Sequence, residues 1–155
     1  MHVTLAFLGQ TFDERLPDVT AAVQAAVSQV TAFDIELDRP GRFPDTGRPR
    51  VVWLGMGAGA PTVLALGERL RAELRRREIT FDKKPLRAHI TLGRVREDVT
   101  LVDARAIAAG VEAMRIPHLR FRADALVVFE SVLSPRGARY TPRASAPLRV
   151  GERSS

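Results

Sequence analysis

Residues 87–94 read Arg-Ala-His-Ile-Thr-Leu-Gly-Arg. Inside them, His89-Ile90-Thr91-Leu92 repeats the tetrapeptide His2-Val3-Thr4-Leu5 that stands at the start of the chain. The sequence has 3 histidines, and two of them head an H-x-T-L motif. Histidine is the side chain that gives and takes a proton near neutral pH. Two histidine strands of the same pattern, about half a chain apart, point to a site assembled from two matching halves. On a strand, residues two apart face the same way. His2 and Thr4 then share one face, as do His89 and Thr91, while Val3, Leu5, Ile90 and Leu92 line the other.

Working outward, His2–Gly9 reads as a strand and residues from about Asp13 to Ala32 as a helix, with Leu16, Val19, Ala22, Val23, Ala26, Val27 and Val30 at helical spacing. Phe33–Leu37 alternates as a strand. Arg39–Pro49, with 3 prolines and 2 glycines, reads as a loop that Phe43 pins to the body. Val51–Gly55 is an apolar strand. Pro61 suits the first turn of a helix running to Arg77, with Val63, Leu64, Leu66, Leu70 and Leu74 inward. Arg69, Arg71, Arg75, Arg76 and Arg77 mark its outer face and end, where cations suit the helix dipole or an RNA backbone. Ala88–Arg94 is the second histidine strand, and Leu101–Met114 a third helix. Leu119–Arg122 and Ala125–Leu133 form one long strand or two short ones. A turn at Ser134–Gly137 leads to a return strand at Ala138–Pro142. The tail after Ala144 is polar, and its last residues are expected to be mobile.

This order predicts an α+β domain of two pseudo-symmetric lobes, each a mainly antiparallel sheet with helices outside, and a cleft between them. The 155 residues, 45% of them hydrophobic, suit a single bilobal domain over 1–155. No apolar run is long enough to span a bilayer, and no signal peptide is recognisable, so the expected setting is the cytoplasm, away from membranes. The absence of cysteine excludes disulfides and thiolate zinc sites. The formal charge of +6 is dominated by arginine, whose fork-shaped guanidinium pairs with phosphate. Two imidazoles and two threonine hydroxyls suit a phosphodiester: one imidazole takes a proton from water, the other gives one to the leaving oxygen, and the hydroxyls bond the phosphoryl oxygens. No metal or other cofactor is called for. Position +5 from each histidine is Phe7 in one copy and Arg94 in the other, a phenyl ring and a guanidinium plane that could hold a nucleobase between them. Strand parity alone sets both on the face away from the histidines.

These residues resemble a known family. Two H-x-T-L motifs half a chain apart look like the 2H phosphoesterase superfamily. Arg50-Val51-Val52-Trp53-Leu54-Gly55, Glu130-Ser131 and Gly137-Ala138-Arg139-Tyr140-Thr141-Pro142 extend the likeness to its RNA 2',3'-cyclic phosphodiesterase branch, also called the 2'-5' RNA ligase family. The resemblance implies metal-independent hydrolysis of RNA 2',3'-cyclic phosphate ends to 2'-phosphomonoesters. His2 would protonate the 3' leaving oxygen, His89 would activate water, and Phe7 and Arg94 would contact the base. The expected partner is RNA or a nucleotide with such an end, and the chain is expected to act as a monomer. Two readings stand beside it: 2'-5' ligation or 2'-5' phosphodiester cleavage at the same site, and an RNA-end-binding module without turnover. The family ordinarily carries a strand and a helix, roughly 40 residues, before the first motif. Only Met1 precedes it in this sequence, so an open sheet edge is expected in that lobe.

Overall fold

The computed structural model describes residues 2–151. The elements are a 3-10 turn Asp13–Arg15, α1 Leu16–Val27, β1 Phe33–Phe43, β2 Val51–Met56, α2 Ala60–Arg76, β3 His89–Arg94, α3 Leu101–Ala113, β4 Leu119–Ala123, β5 Ala125–Ser134 and β6 Gly137–Pro147. A four-stranded sheet has the order β3-β2-β1-β4, and β5 and β6 form a separate hairpin sheet. The α+β class read from the pattern is the class observed.

The chain divides into two compact units. Among the described residues, one comprises 2–4, 34–61 and 87–121; the other comprises 5–33, 62–86 and 122–151. The core of the first is Ile35, Leu37, Leu54, Met56, Ile90, Ala104 and Val111. In the second, Val19, Ala22, Val23, Ala26 and Val27 of α1 are buried, as are Val63, Leu66, Leu70 and Leu74 of α2 and Ala146 and Leu148. Gly67 belongs to this second core. It lies in mid-helix because Leu86 packs against its bare backbone, where a Cβ would collide.

Several boundaries differ from expectation, each for a local reason. Residues 2–9 do not form a strand. Asp82 N–H donates to the Phe7 carbonyl at 2.8 Å, but a strand needs a run of such bonds to one partner. α1 stops at Val27 rather than Ala32. There Val30 N–H turns back to the Val27 carbonyl, and Ala32 N–H pairs with Arg149. β1 continues through Arg39–Phe43, read as loop, with those residues paired to β2. β6 runs on to Pro147, so the segment after Ala144 is sheet and then the buried Leu148. The residues expected to be mobile, 152–155, lie outside the described residues. Leu64, placed inward by periodicity, is exposed at 39%, and Leu101 and Val102 at the start of α3 are exposed at 68% and 76%.

Two terminal interactions give measurable expectations. Thr100 caps α3: its hydroxyl oxygen accepts from Asp103 N–H at 3.1 Å and its hydroxyl donates to the Asp103 carboxylate at 2.7 Å. Thr100→Ala should cost about 1 kcal/mol in urea unfolding. At the end of α2, Glu73 is ion-paired with Arg77 and Arg76. The hydrogen bond from Arg77, aided by the charge of Arg76, holds the Glu73 carboxyl below the usual carboxylate range. A lowered folded-state pKa contributes stability above the unfolded value, and that contribution is lost as pH falls through the folded one. Glu73→Gln should therefore narrow the difference in Tm between pH 7 and pH 3, a comparison thermal melts can make.

Candidate active site

β2 is the central strand on which the site is built. Its partners run Gly55 to His89, Leu54 to Ile90 and Trp53 to Thr91, after which Val52 pairs Gly93 and Val51 pairs Arg94. Leu92 is thus the extra residue of a β-bulge, 51% exposed. The bulge changes which side chains meet. Val51 and Trp53 are two apart and share a face. Arg94 and Thr91, paired with them, therefore share that face too, although they are three apart. Parity would set Arg94 away from the histidine only in a regular strand, and this strand is bulged.

The same face extends across β1, where Gly41 pairs Trp53 and Phe43 pairs Val51. The Trp53 ring lies across Gly41, leaving no room there for a Cβ. Phe43 packs 5.1 Å from Trp53, centroid to centroid, and meets the His89 imidazole edge-on at 5.2 Å, with Trp53 6.2 Å from that imidazole. Phe43 therefore packs onto the body as expected, but against the histidine and from the last position of β1 rather than from within a loop. Arg87 contributes twice. Its guanidinium sits 4.9 Å over the Phe43 ring, and its carbonyl lies 2.7 Å from His89 Nδ1. A carbonyl only accepts, so Nδ1 carries the proton of that bond and the neutral ring keeps its lone pair on Nε2. Thr91 and Arg94 stand exposed beside it.

His2, exposed, and Thr4, partly buried, belong to the same unit as His89, Thr91 and Arg94. Because residues 2–9 are not a strand, alternation no longer sets His2 and Thr4 on one face. Phe7 is 62% exposed and belongs to the other unit. The residues missed by motif reading are Phe43, the Arg87 carbonyl and the Trp53 ring. The signal for Trp53 was present in its spacing two residues from Val51 and from Gly55 on an apolar strand.

A four-stranded sheet whose edge carries an H-x-T motif, with a second H-x-T in the same unit, defines a class before any particular relative is considered. The chain belongs to the 2'-5' RNA ligase superfamily, whose family model matches residues 1–133. Among curated proteins, it is 32% identical over 148 residues to the RNA 2',3'-cyclic phosphodiesterase of Archaeoglobus fulgidus, covering 90% of this chain and 75% of that one. Among solved structures, one from Thermus thermophilus superposes with a TM-score of 0.73 at 29% identity, over 96% of this chain and 78% of its own. Escherichia coli LigT in complex with 3'-AMP superposes with a TM-score of 0.68 at 28% identity, over 95% and 76%. No helix among the described residues is long and apolar enough to cross a membrane.

Proposed function

We propose that this chain hydrolyses 2',3'-cyclic phosphate ends of RNA to 2'-phosphomonoesters through His89 and His2, without a metal ion. The observation that carries the reading is the Arg87 carbonyl on His89 Nδ1, which leaves Nε2 as the ring's basic atom. In the step proposed, Nε2 takes a proton from water as the water oxygen bonds phosphorus. The bond from phosphorus to O3' breaks, and His2 gives its proton to O3'. The products are a 2'-phosphate and a 3'-hydroxyl. Thr91 and Thr4 donate hydrogen bonds to the phosphoryl oxygens as their charge redistributes. Arg94 offers a guanidinium plane for stacking on a base; Phe7, in the other unit, offers an exposed ring of its own. The names of the relatives support a cyclic phosphate at an RNA end, and the 3'-AMP complex of LigT supports a ribonucleotide ligand.

Among the described residues, no three His, Asp or Glu side chains gather as metal ligands, which makes chelation an informative test. Turnover of 2',3'-cyclic nucleotides and of RNA with a cyclic end should persist in excess EDTA. Activity that vanishes with EDTA and returns with a divalent cation would overturn the metal-free step. Digestion of the products with 2'- and 3'-phosphate-specific enzymes distinguishes hydrolysis to a 2'-phosphate from joining of RNA ends through a 2'-5' bond.

A further inference from the structure

The arginine cluster of α2 divides into two sets with different surroundings. Arg76 and Arg77 are paired with Glu73, and Arg77 also bonds the Glu73 backbone carbonyl at 3.1 Å. These two serve the helix end. Arg71 and Arg75 do not. Both guanidiniums lie over the same Phe81 ring, 5.6 and 5.4 Å from its centroid. Arg71 is only 8% exposed, against the expectation that it faces outward. Its Nη2 donates to the Lys84 carbonyl at 2.9 Å. Its Nε, however, is buried with no hydrogen-bond partner, and no carboxylate among the described residues pairs with it.

A buried guanidinium without a counter-ion is costly, because the charge loses water and gains no opposite charge. A second cation held at the same ring adds repulsion. Around these groups lies a cavity of about 560 Å³, lined by Arg71, Arg75, Thr80, Phe81 and Lys83, with one carboxylate, Glu78, in its wall. Three cations against one carboxylate favour an anion, and guanidinium forks match a phosphate.

We propose that this cavity is a second phosphate site, which takes a backbone phosphodiester of single-stranded RNA. It lies in the unit that does not contain the histidines. Its assignment to RNA rests on the RNA-end reading above. Phe81, buried at 8% exposure, acts as the platform for the cations, not as a surface for a base.

The test uses a 12-nucleotide RNA with a plain 3'-hydroxyl, which is not a substrate, and fluorescence anisotropy across a salt series. Arg75 and Lys83 are exposed, so an Arg75→Ala, Lys83→Ala double variant spares the buried Arg71. Binding should weaken about tenfold at low salt, and the slope of log K against log salt should flatten by about 0.7, the loss of one phosphate contact on a single strand. Hydrolysis of a 2',3'-cyclic mononucleotide should be unchanged. Equal affinity and equal slope in the two proteins would overturn the assignment to RNA, and no effect of inorganic phosphate on either Tm beside that would overturn the site. Inorganic phosphate supplies the second arm. If it raises the Tm of the wild type but not of the variant while RNA affinity stays equal, the cavity holds free phosphate and the RNA assignment fails. Anisotropy needs no turnover, so a wild type that binds RNA without hydrolysing cyclic ends would sink only the catalytic reading.

Discussion

Alanine at His89 is expected to lower kcat on a 2',3'-cyclic nucleotide by about a thousandfold, with KM changed much less. General base catalysis contributes about 10² to 10⁴ in rate, and the substitution removes the only atom here proposed to accept the water proton. The fold should survive: His89 lies on a partly exposed strand, and its ladder bonds come from the backbone. The pH–rate profile provides the sharper check. A bell with one limb for the base and one for the acid should lose its acidic limb in His89→Ala, because that limb reports protonation of the base. His2→Ala should lose the opposite limb. A His89→Ala enzyme within a few fold of the wild type would remove the residue from the mechanism.

Valine at Gly41 should destabilise the protein by about 3 kcal/mol and disturb the site as well. The Trp53 indole occupies the space any Cβ at position 41 would need. Overpacking a fitted contact ordinarily costs about 1–3 kcal/mol, and here the clash is with a ring that also packs against Phe43, 5.1 Å away. Trp53 is the sole tryptophan, so its emission reads the displacement directly in the folded protein. Moving the indole removes one of the two rings beside His89, and kcat should fall about tenfold. Unchanged emission, melting temperature and rate together would show that the ring is not fixed by Gly41.

What the sequence shows of this protein, and what it hides, follows from how each feature is encoded. The β3 strand and the His89–Thr91 pair are legible because alternation is a local pattern. The helices are legible because their apolar sets recur at helical spacing. The stretch Arg39–Phe43 is not: Pro40 and Gly41 look like turn residues, yet Pro40 tolerates an extended backbone and Gly41 is there for the Trp53 ring. The surroundings of Arg71 are hidden for another reason. Periodicity counts arginine as polar, while a guanidinium stacked on Phe81 can be buried. The strand expected at 2–9 failed because its apolar pattern cannot supply a neighbour to pair with.

The bulge at Leu92 bears on how such sites diverge. In a regular strand, a cation on the histidine's face must come four residues after it; here it comes five after, at Arg94, because one residue is spent in the bulge. Losing Leu92 by deletion would shorten the chain by one and carry Arg94 to spacing four with its facing kept. Losing a single codon at this place is thus a nearly silent event for the site, whereas the same change between His89 and Thr91 would separate the imidazole from its hydroxyl.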